Sequence, residues 1–265
     1  MEEIYKLIII CPLIFISSVI DAIVGSGSII SVPTYLVAGL PVHYAYGTQK
    51  FVTFWGSLVS AIRYIKNKKY ELKLVIIFSI LCIIGTYIGS RLILCIDDIY
   101  LRYLLIFLIA IYFAFSIIKK YLKPKQQKLE KTKNKIKRVE QLSSRKRLGL
   151  SVIIGIIIGL YGGTIGVGLT SILILVFIKI FNIDSIKASG NARIITCSLN
   201  LVAMITFILK KKIIFMIAIP ATITSMLGNY VGAGLAIKKS TKIMESLLKI
   251  IFIILFIELI IETIF

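Results

Sequence analysis

Two basic residues stand where a lipid-embedded chain tolerates them least. Lys50 follows Gly47-Thr48-Gln49, and Arg193 follows Gly190-Asn191-Ala192, each a few residues into a long apolar stretch. A cation inside a membrane span is costly and faces a pore, a partner or the interface. Two at matching places suit an anion held between them. Arg193 can offer a planar two-point fork, and Lys50 a compact point charge. Snorkelling of both side chains to the headgroups is the competing reading. Glycine clusters point the same way. Asp21-Ala22-Ile23-Val24-Gly25-Ser26-Gly27-Ser28 and Gly162-Gly163-Thr164-Ile165-Gly166-Val167-Gly168 interrupt apolar sequence. A broken helix leaves unpaired N–H groups at the start of the next one, and these attract negative charge together with the helix dipole. Irregular backbone at membrane depth is tolerated only where protein covers it or where it lines a cavity. The candidate anion-binding set is therefore Gly25, Ser26, Gly27, Ser28, Thr48, Gln49, Lys50, Gly166, Gly168, Asn191 and Arg193.

A polar stripe continues along the same two segments. Helical spacing places Thr53 and Ser57 on the face of Lys50, and Thr196 and Asn200 on the face of Arg193. Such a stripe lines a pathway or acts as interhelical hydrogen-bonding glue. Asp21 is a carboxylate deep in apolar sequence beside the first break, suited to a coupling proton or to pairing with Lys50. His43 reads as a loop residue exposed to solvent. Glu258 and Glu262 fall towards the C-terminal end of the last apolar stretch. No His-Glu-x-x-His, Gly-x-Ser-x-Gly or clustered His/Asp set is present, so no nucleophile with its base and no metal or cofactor site is expected. Cys11, Cys82, Cys95 and Cys197 are dispersed in apolar sequence without a Cys-x-x-Cys pair and read as small core residues.

The elements that carry these residues are membrane helices. The hydrophobic fraction is 58% and the mean hydropathy +0.97. Apolar runs long enough to span a bilayer lie near 4–24, 46–65, 72–94, 99–118, 148–165, 188–209, 213–236 and 242–264. Two shorter runs, 28–40 and 168–181, each follow a glycine cluster. The start, Met1-Glu2-Glu3, lacks the basic region of a signal peptide, so the first span is expected to stay. The second half of the chain repeats the first. At an offset of 141, Gly25 and Gly27 meet Gly166 and Gly168. At 143, Ala45, Gly47, Thr53, Gly85, Tyr87 and Gly89 meet Ala188, Gly190, Thr196, Gly228, Tyr230 and Gly232. The expected fold is all-α: a polytopic membrane protein of two homologous repeats, 1–118 and 148–265. Each repeat has about four to five hydrophobic segments, with Gly-broken helices at matching positions. Matched breaks in duplicated halves are a sequence pointer to a transport site.

Residues 119–147 join the repeats. Here 13 Lys/Arg stand against Glu130 and Glu140, a net charge of +11 within a chain of +20. The positive-inside bias places this linker in the cytoplasm. It is also suited to anionic lipid headgroups. One aromatic and no recognisable module speak against nucleic acid. With the linker inside, Asp97 and Asp98 fall outside and Lys66, Lys68, Lys69 and Lys73 inside. Residues 4–41 are too long for a single crossing, since about 20 helical residues suffice. A hairpin there gives inverted halves; one broken crossing gives parallel ones.

These residues resemble the TauE/SafE family, the sulfite exporter and toluene-sulfonate uptake permease superfamily. In the first half the likeness is carried by Asp21-Ala-Ile-Val-Gly-Ser-Gly-Ser-Ile-Ile-Ser-Val-Pro33, Gly47-Thr-Gln-Lys50 and Gly85-Thr-Tyr-Ile-Gly89. In the second it is carried by Gly159-Leu-Tyr-Gly-Gly-Thr-Ile-Gly-Val-Gly168 and Ala188-Ser-Gly-Asn-Ala-Arg193. The resemblance implies a multi-pass cell-membrane permease for a small, often sulfur-containing anion such as sulfite or a sulfonate. Departures are Gln49 and Arg193, where the family usually has Asn and Lys, Gly162, where it often has Asp, and Ser26 and Ser28, where it has more glycine. The expected function is secondary transport by alternating access, with the site between the repeats. An anion channel and a non-transporting scaffold subunit are the alternatives. Oligomeric state is open.

Overall fold

The computed structural model describes residues 2–107 and 144–238, with side chains over 6–107 and 151–237. The described residues form helices joined by short turns, with no strand among them. The first half contributes α1 (Glu2–Val24), α2 (Ser28–Val37), α3 (Val42–Lys66) and α4 (Leu72–Ile93), then α5, which begins at 98 and is described to 107. The second contributes α6 (Ser144–Gly163), α7 (Leu169–Lys179), α8 (Ser185–Leu209) and α9 (Phe215–Lys238). Lys6–Val24, Leu72–Ile93, Ser185–Leu209 and Phe215–Ile237 are long and apolar enough to cross a membrane. The expected span 242–264 lies outside the described residues, as do most of 99–118 and of the linker 119–147.

Apolar side chains cover the outside of the molecule as well as filling most of its core. Ile76, Ile80, Ile84 and Tyr87 form an exposed stripe on α4; Ile219, Ile223, Leu227 and Tyr230 form the matching stripe on α9. In water such stripes would be a liability; against lipid tails they need no cover. Serines, threonines and asparagines turn inward instead, among them Ser17, Ser18, Thr86, Ser90, Ser225 and Asn229.

Glycine at the crossings lets the helices touch. Gly85 and Gly89 of α4 lie on backbone of Ile156, Leu160 and Thr164 in and just beyond α6, while Gly159 lies on Cys82. The same device joins α9 to α1, where Gly228 meets Phe15 and Ser18, and Gly232 meets Val19 and Ala22. Small residues at spacing four bring backbones close where no hydrophobic force drives association. The first helix of each half thus packs on the fourth helix of the other, and the halves interleave.

These contacts also fix direction. Paired residues rise together along α4 and α6 and along α1 and α9. They do so along α4 and α8, from Glu71–Asn191 to Ser90–Thr206, and along α3 and α9, from Thr48–Ile214 to Gly56–Ser225. Along α3 and α8 the order reverses: Gly47 sits by Lys212, and Gly190 by Lys69. Hence α1, α3 and α9 run one way and α4, α6 and α8 the other. Among the described residues, α6, α8 and α9 thus oppose their sequence counterparts α1, α3 and α4.

Between α1 and α3 the chain makes a hairpin. After α2 it returns to the start of α1, where Gly39 lies beside the Lys6 side chain. Likewise Phe181 and Ile183, beyond α7, share a cluster with Ile154 of α6. The interruptions are real breaks. Gly25 has φ +83°, and Gly166 and Gly168 have +63° and +69°, backbone that glycine adopts without steric cost. His43 departs from expectation. Pro41 starts α3 at Val42, so His43 lies in a helical turn. Its ring is tucked between the Asp98 carboxylate and the Ile93 carbonyl, the latter 3.1 Å away, with 13% of the side chain exposed.

Candidate functional site

Lys50 and Arg193 each lie eight residues into their helices, α3 and α8. They are 4% and 1% exposed, and the only charged residues fully buried among those described. Neither snorkels. Lys50 Nζ donates to the Gly162 carbonyl at 2.8 Å, and a Cβ at Gly166 would stand 2.9 Å from that nitrogen. Arg193 Nη1 donates to the Asp21 carboxylate. At the offset of 141, Gly162 is the counterpart of Asp21. Each buried cation therefore reaches across to the same place in the other half's broken hairpin. One meets a carboxylate there, and the other only a carbonyl.

The breaks themselves meet. Gly168 N–H donates to Ser28 Oγ at 2.9 Å, Ser171 N–H to the Gly25 carbonyl at 3.2 Å, and Ser171 Oγ to the Val24 carbonyl at 2.6 Å. Gly25 is required by this approach, because a Cβ there would press into Thr170 and Ser171 at 2.7 Å. Within the first break, Gly27 N–H donates to Asp21 Oδ1 at 3.1 Å. Asp21 is thus fixed at both oxygens. Ser26 Oγ and Arg193 Nη2 are buried here without a protein partner. A buried polar group left unmatched is rare, and marks a place where a ligand or solvent completes the bonding.

The other sequence candidates divide. Thr48 Oγ1 accepts from Ile214 N–H at 3.2 Å, and Asn191 Oδ1 accepts from Glu71 N–H at 2.7 Å. Thr48 matches Asn191 and Glu71 matches Ile214 at offset 143, so these are reciprocal braces, each half holding the start of the other's fourth helix. Ser57 Oγ donates to the Phe54 carbonyl, and Thr196 Oγ1 to the Ala192 and Arg193 carbonyls, both within their own helices. Asn200 is buried. Gln49 and Thr53 instead line a cavity beside Asp21, together with Gly27 and Ser28. Sequence reasoning missed the rest of that lining: Ser17, Ser18, Ser31, Tyr35, Ser225 and Asn229. Their signal was present, since polar residues inside apolar spans face the interior of the bundle. What was missing was their common destination.

Chemically, the centre offers two buried cations, one carboxylate and two helix interruptions. Among the described residues no cluster of His, Cys, Asp or Glu is built to hold a metal ion. The sequence pattern of the family described as Sulfite exporter TauE/SafE matches residues 10–262. A probable membrane transporter protein of Haemophilus influenzae is 26% identical over 89% of this chain and 87% of its own length. Probable membrane transporter protein ORF9 of a Sinorhizobium species is 27% identical over 92% and 88%. Probable membrane transporter protein YfcA of Escherichia coli is 24% identical over 95% and 91%. No solved structure matches the chain. With the family pattern spanning almost the whole sequence, and apolar helices enclosing a charged centre, the chain belongs to the TauE/SafE family of membrane transporters.

Proposed function

We propose that this transporter carries a small anion, sulfur-containing in keeping with the family description, and binds it where the two helix breaks meet. The reading rests on one observation above all: Lys50, 4% exposed, faces a carbonyl and no carboxylate. Counting Lys50, Arg193 and Asp21, the buried centre carries one positive charge in excess. A buried charge without a counter-ion is expensive, and an incoming anion supplies the counter-ion. The helix breaks bring the starts of α2 and α7 together beside this centre, where their dipoles favour negative charge. Asp21 is the residue placed to couple transport to a second ion. The proposed role is transport, in keeping with the family description.

Alternating access follows from the opposed halves. Two structurally similar bundles of opposite direction, interleaved around a shared site, can exchange their inward and outward shapes by rocking. The protein is placed in the cell membrane, with its basic linker in the cytoplasm by the charge rule and available to anionic lipid headgroups. This gives a topological prediction. Lys68 and Lys211 match at offset 143 and share a left-handed backbone, with φ of 53° and 54°. Single cysteines at 68 and 211, in a background lacking the native cysteines, are expected to react with an impermeant thiol reagent from opposite sides of the membrane. Labelling from one side would rule out inversion.

The transport experiment uses purified protein in vesicles loaded with radiolabelled sulfite or a simple sulfonate. Lys50→Ala is expected to slow uptake about tenfold or more, the worth of one charge-assisted hydrogen bond of about 1.5–3 kcal/mol. Arg193→Ala is expected to abolish it. Unchanged rates in both variants would remove the site. Saturable, slow turnover is the expected kinetic form. Single-channel currents would mean a channel, and no flux of any tested anion would mean a scaffold.

A further inference from the structure

The two halves share a backbone plan but not the polarity of their interiors. Around the first break, Ser17, Asp21, Ser31, Tyr35 and Gln49 of the first half and Asn229 of the second line a cavity between α1, α2, α3 and α9. Sequence offset puts Ile158, Gly162, Ile172, Val176, Ala192 and Thr86 at the matching places around the second break. There Ile158 packs in an apolar cluster with Leu169, the counterpart of Ser28, and the Leu169 side chain reaches over Gly162, where the first half has its carboxylate. Apolar filling is thus sufficient to hold this fold together. The oxygen-rich set around the first break exceeds what packing requires, and although Ser17 donates to the Gly27 carbonyl and Ser18 to Ser225, burying the acceptors left over is unfavourable unless something satisfies them.

The free space between these side chains admits little more than one water-sized occupant, far too little for an organic anion. Asn229 Oδ1 and Tyr35 Oη are buried without a hydrogen-bond partner, in residues 1% and 0% exposed. An amide oxygen and an ionised carboxylate accept but never donate. No lysine or arginine lines the cavity. The carboxylate and the amide oxygen therefore favour an occupant that brings positive charge or hydrogen, and disfavour an anion. Carboxylate, amide and hydroxyl oxygens are the ligands that hard cations take.

We propose that this cavity is a binding site for one dehydrated monovalent cation of about sodium's size, held by Asp21, Asn229 Oδ1 and the surrounding hydroxyl oxygens. Arg193 also holds Asp21, and the centre already carries excess positive charge. The cation therefore binds more tightly once an anion has joined Lys50, and by linkage the anion binds more tightly once the cation is present. That coupling rests on the anion reading above; the cation site does not.

The test needs no anionic substrate. Thermal unfolding of the full chain in detergent is followed in sodium, lithium, potassium and choline chlorides at equal ionic strength and fixed pH. Sodium at ten times its half-saturating concentration is expected to raise the midpoint by about 2–4 °C over choline. The double variant Ser225→Cys with Asn229→Thr installs the residues that the other half uses at Cys82 and Thr86. It is expected to fold and to lose the sodium shift. Equal midpoints in sodium and choline for the wild type would overturn the proposal. So would a shift that survives in the double variant, or stabilisation that follows pH and ignores the cation. A sodium shift beside an absence of sulfite uptake would leave the cation site standing and remove only the anion reading.

Discussion

Arg193→Ala is expected to be among the most damaging single side-chain truncations in this protein, and more harmful than Lys50→Ala. Both remove a buried cation, but they leave different things behind. Without Arg193, the Asp21 carboxylate, 13% exposed at its side chain, keeps only the Gly27 N–H at 3.1 Å. Breaking one side of a buried ion pair costs about 3–5 kcal/mol, because the remaining charge stays uncompensated. Lys50→Ala leaves a carbonyl short of one donor, at a cost of about 1–3 kcal/mol before the relief of removing an unpaired charge. The double variant Asp21→Asn with Arg193→Ala is therefore expected to recover much of the loss seen in Arg193→Ala alone. Thermal midpoints of wild type, both single variants and the double variant complete the cycle. Strictly additive effects would show that the two side chains do not depend on each other.

Gly47→Ala and Gly190→Ala are expected to prevent accumulation of folded protein. A methyl group at Gly47 would overlap the Lys212 carbonyl, and one at Gly190 would overlap the Lys69 carbonyl. Both obstacles are backbone, fixed by the turns that follow α8 and α3 and braced by Thr48 and Asn191. Overpacking a core costs about 1–3 kcal/mol when side chains can move, and here the obstructing atoms cannot move without parting the halves. Gly162→Ala is the control. Its methyl would meet chiefly the Leu169 side-chain end, at 2.8 Å, which can rotate away. Gel filtration of detergent-extracted protein reads the outcome. A monodisperse peak of wild-type size and yield for Gly47→Ala would contradict the close approach of the halves.

The fold class was readable because lipid imposes a one-dimensional rule. Spans must be long, apolar and helical, so composition along the chain locates them. Helix breaks were readable for a similar reason, since glycine clusters within apolar sequence leave few other options. His43 reads as a loop residue because Gly39 and Pro41 just before it signal a turn, whereas Pro41 starts a helix whose first turn packs against Asp98. Ser17, Ser18, Ser225 and Asn229 went unremarked because each, taken alone, resembles a helix-packing residue. Their shared cavity draws on α1 and α9, which lie about two hundred residues apart in sequence.

Residue type and spacing along one line are enough to reveal the glycine interruptions and two cations in apolar surroundings, and to raise the expectation of a duplication. Packing in three dimensions sets the opposed directions of matching helices, the pairing of Asp21 with Arg193 and not with Lys50, and the bracing of the partner half by Thr48 and Asn191. The pairing and the braces join residues 120 to 172 positions apart. Contacts at that separation arise from how interleaved helices bury their small and polar faces against one another, a condition on three-dimensional packing that no local pattern carries.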